Sequence, residues 1–387
     1  MFKKLLKKLF KKPTSSASNL YYFEDSRKSA EPKAADASAA DNIAPNSKAA
    51  DSQIRSEPQQ APVASHNITF HSFEDEYQLA FYDHLLGASP STLSPHDHEL
   101  SAFISAQVQS LLKKPKLILD ALPVLPLSLT KIVEQLNNKD FDVDALIELI
   151  QQEPAIAAKV IELANSSYYN RSHKEIVELK SAFMVLGVNG LSEGVINGFV
   201  SKLVPQSSIY FRHYGEKIWQ HSLATGVMAK ALVTQSPLKD SAAQAYFIGL
   251  ICNLGDVIIY QLMIDAFSVV HPDCQPNSTL FKNVMAKNSK KITYFIAKYW
   301  NFPEAILEVL ALQAKMKKSA LLPALHNKRP IACYVYEAKI LSELAMRLTQ
   351  ENIDDDYINE VATSLIFTDQ AKAQLTLMLA EREIENA

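Results

Sequence analysis

The apolar pattern of this chain changes character twice before it settles. Over Met1–Lys12, MFKKLLKKLFKK, Phe2, Leu5, Leu6 and Leu9 recur at helical spacing, with Lys3, Lys4, Lys7, Lys8, Lys11 and Lys12 around the other side. Phe10 falls off the centre of that stripe and Pro13 stops the run. A dozen residues is marginal as an isolated helix in water, so this segment is expected to fold on a surface that takes its apolar face. From Thr14 to about Ser65 the chain is rich in Ala, Ser, Asp, Pro and Gln, the composition of a disordered tether. About fifty such residues give a root-mean-square reach of roughly 40 Å.

Helical periodicity then takes over. Phe73, Tyr77, Phe81 and Leu85 share one face and Gly87 ends the run; Ser94-Pro95 opens a second helix with Leu100, Phe103, Ile104, Val108 and Leu111 on its buried side. Only nine glycines occur in 387 residues, and four of them crowd into Gly187–Gly198, which leaves too little turn punctuation for many short strands. The expectation is an all-α protein. It divides into a basic amphipathic tail (1–12), a disordered linker (13–65), a helical lead-in (66–114), a multi-helix bundle (115–326) and a C-terminal helical extension (327–387) whose apolar spacing suits packing back on the bundle. Ala242–Ile264 is the most apolar stretch. Asn253, Asp256 and Gln261 interrupt it, so it reads as a buried pair of core helices.

Gly190, Gly194 and Gly198 lie four apart, nearly on one face of a helix expected to begin near Asn189. Each costs about 1 kcal/mol relative to alanine, so close approach of another helix backbone is the expected compensation. Self-association or a ligand phosphate at the bare face are the alternatives.

A motif series follows the lead-in: Leu122-Pro123-x-Leu125-Pro126; Asp142-Val143-Asp144-x-Leu146-x-x-Leu149-Ile150; Glu153-Pro154-Ala155; Leu163-Ala164-Asn165-Ser166-Ser167-Tyr168-Tyr169; Ala182-Phe183-x-x-Leu186-Gly187; then Trp219-Gln220-His221-Ser222-Leu223 and Trp300-Asn301-Phe302-Pro303-Glu304. In order and spacing it resembles the HDOD family, the HD-related output domain of bacterial signalling proteins, over about Pro115 to Ala314. Read as residues alone, Glu153-Pro154 opens a helix whose apolar ridge is Ile156, Val160 and Leu163, and Asn165-Ser166-Ser167 is a helix exit whose side chains bond to backbone. Asn165, Tyr168 and Tyr169 as a ligand site is the alternative.

The resemblance also implies where chemistry would lie. HD phosphohydrolases, to which the HDOD family is similar, hold metal with a His, a later His-Asp doublet and a further Asp. Here His221 fits the first position, Cys252-Asn253 stands at the doublet, and no downstream Asp can be placed. A thiol and a neutral amide do not make a hard-metal cage, so no catalytic residue, metal or cofactor is expected. Asp256 stands where a lysine usually follows the glycine, reversing a charge expected to face an anionic substrate. His221 is then expected to be a core histidine with one hydrogen-bonded nitrogen.

Charge narrows the partners. Formal net charge is −3, but the first twelve residues hold six lysines and no acid, leaving 33 basic side chains against 42 acidic, or −9. The body is a poor nucleic-acid binder, and the tail suits an anionic membrane surface. Cys252, Cys274 and Cys333, an odd number without metal spacing, fit a reducing, cytoplasmic setting. Together these imply a non-catalytic signalling or scaffolding protein, acting through protein partners at the inner membrane face. The alternatives are a phosphohydrolase or phosphodiesterase with an altered metal site, and a nucleotide-binding receptor.

Overall fold

A computed structural model describes residues 72–385, apart from 89–94, 123–126, 136–141, 167–168, 172–173, 204–208, 271–278 and 317. The basic tail, the linker, Pro123 and Tyr168 therefore lie outside the described residues. The described residues contain helices and no strand, as the periodicity implied.

Two helices precede the bundle: α1 (Phe73–Leu86) and α2 (Pro95–Leu112). Ser72 caps α1 by accepting from the Asp75 amide, three acidic residues fill its first turn, and Gly87 closes it at φ 82°. Four short helices follow: α3 (Pro115–Leu119), α4 (Leu127–Gln135), α5 (Val143–Gln151), capped by Asp142, and α6 (Pro154–Ala164). As the sequence implied, Pro154 occupies the first turn of α6 and Ile156 and Val160 bury its apolar ridge.

The glycine-bearing helix α7 spans Leu179–Leu203, and its second segment, which carries the three spaced glycines, begins just after Gly187, near the expected Asn189. It is two helical segments joined by a kink at Gly187, whose φ of 64° suits a residue without Cβ. Beyond the kink, Gly194 and Gly198 lie against α6. A Cβ on Gly194 would come 3.0 Å from Val160 Cα, and one on Gly198 would come 2.9 Å from Ile156 Cα. Gly190 differs: its neighbours are its own Leu186 side chain and the Tyr169 ring. The stripe is thus covered from within, and all three glycines are buried.

The centre of the molecule is built from α8 (Ile209–Thr234), α9 (Ala242–Ile251), α10 (Leu254–Val270) and α11 (Thr279–Tyr299). Lys239–Ala266 is apolar and long enough to cross a membrane by composition alone, and its most apolar window is entirely buried within the protein. It is a core helix pair, broken at Cys252-Asn253. After α12 (Glu304–Lys315) and α13 (Leu322–His326) comes α14 (Pro330–Leu348), then α15 (Asp355–Ser364) and α16 (Asp369–Glu385).

Helix α14 is no peripheral addition. It packs against α1, α8, α9, α12 and α16, and residues 332–344 are buried without interruption. Its Glu337 carboxylate accepts from the Phe367 and Thr368 amides at 2.7 and 2.8 Å, anchoring the entry to α16. The lead-in is equally integral. Tyr77 Oη donates to Ile340 O at 2.7 Å, Tyr336 Oη donates to Glu74 at 2.6 Å, and the buried Lys282 ammonium holds Asp83 and Gly87 O at 2.5 and 2.6 Å.

Candidate functional site

The remnant HD positions converge, but on the interior. His221 projects from the middle of α8, Cys252 and Asn253 form the turn between α9 and α10, and Asp256 lies in the first turn of α10. Each is at most 4% exposed. Helix α11 fastens the turn: Thr293 Oγ1 accepts from Gly255 N at 2.9 Å and donates to Cys252 O at 3.1 Å. No side chain fits at Gly255, where a Cβ would lie 2.0 Å from Ser289 O.

Two elements outside the motif-bearing stretch complete the site. From α1, Phe81 sets its ring edge-on to His221, with centroids 4.5 Å apart, and Tyr82 Oη donates to Asp256 Oδ1 at 2.7 Å. Burial, then the Asp256 charge, pushes the Tyr82 phenol well above its ordinary range, so it remains the donor. From α14, Lys339 Nζ lies 3.9 Å from Asp256 Oδ2 and 3.8 Å from Glu343 Oε1. Glu343 Oε1 in turn lies 3.7 Å from His221 Nε2.

The electrostatics follow from that enclosure. Burial, then Lys339 and His84, holds the His221 imidazole well below its ordinary value, so the ring is neutral near pH 7. Neither ring nitrogen has a hydrogen-bond partner, against the single hydrogen bond expected from the sequence, because the ring faces an aromatic edge and a carboxylate just out of reach. Burial also acts to discharge Lys339, yet Asp256 and Glu343 outweigh it and raise its pKa. Glu343 is pushed by burial up to about 7, with Lys339 and Lys290 pulling it back down. Burial pushes the Cys252 thiol up to about 12, and it donates to Gly249 O at 3.1 Å, so it is a thiol and not a thiolate ligand. Asn253 Nδ2 donates to Thr225 Oγ1 at 3.3 Å, and its Oδ1 has no partner.

These residues do not fit a hard-metal centre. Among the described residues no three His, Cys, Asp or Glu side chains converge as a metal would require. The carboxylates that do approach, Asp256 and Glu343, already flank an ammonium, and a divalent ion beside Lys339 would meet like charge. Asp256 does not face a substrate space, as its charge reversal had suggested; it is sealed beneath Tyr82 and neutralised by Lys339. A pocket of about 330 Å³ opens where His84, Lys217, Gln220, Ala224, Met346 and Gln350 meet, between the end of α1, α8 and α14.

The remaining motif residues take structural places. Asn165 caps α6 and bonds across to residue 176: its Nδ2 donates to Ile176 O at 2.7 Å and its Oδ1 accepts from Ile176 N at 2.9 Å. Ser166 Oγ donates to Leu163 O at 2.7 Å. Tyr169 Oη donates to Glu193 at 3.1 Å, and Glu193 also pairs with Lys230, which joins α7 and the segment after α6 to α8. Ala164 and Leu186 are buried, and Leu122, Leu163 and Trp219 pack half-buried on the core.

Sequence reasoning missed Phe81, Tyr82, Lys339 and Glu343. One signal was available: Lys339 and Glu343 sit four apart on a largely apolar helix, where buried charged groups survive only with partners.

The sequence model of the HDOD domain matches residues 122–316, half of the chain, and the chain belongs to the HDOD family. An uncharacterized protein of Treponema pallidum (strain Nichols) is 24% identical over 196 residues; the match covers 50% of this chain and 37% of that protein's own length. Among solved structures, an HDOD domain protein of unknown function from Geobacter sulfurreducens is 18% identical with a TM-score of 0.49, covering 72% of this chain and 96% of its own. A protein of Marinobacter aquaeolei VT8 labelled a signal transduction protein is 16% identical with a TM-score of 0.45, covering 80% of this chain and 63% of its own. The family match excludes α1 and α14, the two helices that close the remnant site.

Proposed function

We propose that this HDOD protein is a non-catalytic signal-transduction and scaffolding module, cytoplasmic, held at an anionic membrane face by its basic tail and read by protein partners. One observation carries the non-catalytic part. Beside His221 the two approaching carboxylates, Asp256 and Glu343, flank the Lys339 ammonium, under the Phe81 and Tyr82 side chains. An internal cation balances the carboxylates but has no open coordination position for water. A nucleotide would have to displace α1, which buries Tyr77, Phe81, Tyr82, Leu85 and Leu86. At about 2 kcal/mol for each such side chain, that costs roughly 10 kcal/mol before any ligand contact forms.

The tail supports the location: lysines near an anionic surface contribute about 1 kcal/mol each, and the leucine and phenylalanine side chains add burial. The test is metal analysis of chelator-free protein together with a phosphodiester hydrolysis assay in added Mn²⁺. The expected result is substoichiometric metal and no turnover above buffer. Stoichiometric Mn, Fe or Zn that disappears in His221→Ala, with ester cleavage that disappears alongside it, overturns the reading.

A further inference from the structure

Helix α11 carries Lys282, Lys287, Lys290, Lys291 and Lys298 and no acidic residue. Two of these turn inward: Lys282 holds Asp83, and Lys290 lies over the Tyr336 ring at 5.7 Å. Lys287, Lys291 and Lys298 are exposed. With Tyr294 they fall at steps of four, three and four, which is a single face of an α-helix. Helix α3, packed on α11, follows the exposed Lys113 and Lys114 and adds exposed Lys116, with Leu117 40% exposed, before Asp120 closes the segment. None of these six exposed lysines pairs with a carboxylate among the described residues. Apolar rings are interleaved: Lys291 lies over Phe295 at 5.7 Å, and Tyr299 at the helix end is 46% exposed.

We propose that this α3–α11 lysine face is a second contact for an anionic lipid surface, one that orients the body against the membrane the tail attaches to; it rests on that reading of the tail. The body outside the tail carries 33 basic side chains against 42 acidic, so a cluster of uncompensated lysines on it is a local exception. Lysine stems with tyrosine and leucine beside them are the combination that settles at a lipid headgroup level, and it repeats the chemistry of Met1–Lys12. A weak contact suffices, because a linker with a reach of roughly 40 Å keeps the face at high effective concentration near the surface. Nucleic acid is the less favoured occupant, since a polyanion extending past the patch meets a net acidic body.

The experiment measures partition onto vesicles of equal parts phosphatidylglycerol and phosphatidylcholine. Four proteins are compared: the full chain, the full chain with K287E/K291E/K298E, a form beginning at Thr14, and that form with the same substitutions. K113E/K114E/K116E serves as an independent variant. Each lysine contributes about fivefold, so either triple substitution is expected to lower partition by on the order of a hundredfold, with the difference vanishing in high salt. If the Thr14 form loses binding while both triple variants of the full chain bind as the parent does, the lysine face is overturned and the tail reading stands. If the triple variants lose binding while removal of the tail changes nothing, the tail reading falls and the proposal of a second contact falls with it. Equal partition of all the proteins overturns both. Loss of affinity for a single-stranded oligonucleotide with vesicle partition unchanged also overturns the proposal.

Discussion

Phe81 stands edge-on to His221 with ring centroids 4.5 Å apart, so a residue from the helix that leads into the bundle covers the histidine at its centre. The relationship joins an element outside the family match to a histidine inside it. It makes the enclosure of the site testable.

Phe81→Ala should destabilise the protein by about 3–5 kcal/mol, the range for deleting a buried phenyl ring. It should also move the His221 imidazole back toward its ordinary pKa, because burial is the main cause of its depression. Urea unfolding and an NMR titration of the His221 ring measure the two effects. Loss of stability with no change in the titration would show that α1 does not shield the ring.

Lys339→Met should cost about 3–5 kcal/mol, since it leaves two buried carboxylates facing one another without their cation. Adding Glu343→Gln to it should recover part of the loss. A double-mutant cycle read by chemical denaturation gives the coupling; strictly additive effects would mean that the ammonium and the carboxylate do not interact.

The pH dependence has a definite sign. Burial raises Glu343 to about 7, above an unfolded value of about 4.3, so the folded state binds this proton more tightly. Its contribution to stability is fully present below about 4.3 and is lost as the pH rises through about 7. Glu343→Gln removes that slope, and across this window the parent should lose on the order of 3–4 kcal/mol relative to the variant. His221, depressed by burial, acts in the opposite sense and is present in both proteins. Parallel stability curves for parent and variant would place Glu343 at an ordinary pKa.

Gly198→Ala should cost about 1–3 kcal/mol although alanine is the better helix former, because its methyl would lie 2.9 Å from Ile156 Cα and force α6 and α7 apart. Gly187→Ala meets no such crowding but is strained by its φ of 64°. Thermal unfolding of both variants separates the two causes; a stabilised Gly198→Ala would mean that the helices can part without loss.

How much was legible in advance depends on range. Helix type, the buried pair within Ala242–Ile264 and the ridge of α6 follow from apolar periodicity and from Pro and Gly placement, which act over a few residues, whereas the break at Cys252-Asn253 came from the structure. The departure from the HD ligand set was equally visible, since it is a matter of which donor atoms stand at His221, Cys252 and Asn253.

What local pattern could not decide is what replaced the ligands. Tyr82 and Asp256 are 174 residues apart, Lys339 and Asp256 lie on different helices, and Phe81 precedes His221 by most of the lead-in and half the bundle. An amphipathic pattern states which face a helix buries but not which helix it buries it against, and a single Lys or Glu on an apolar face names no partner. The chain alone determined that a thiol and an amide, Cys252 and Asn253, stand at the positions compared with the HD doublet. Only the packing of α1 and α14 decided that Phe81 covers His221 and that Tyr82 and Lys339 meet Asp256, because that pairing depends on which distant surfaces complement each other once the core has formed.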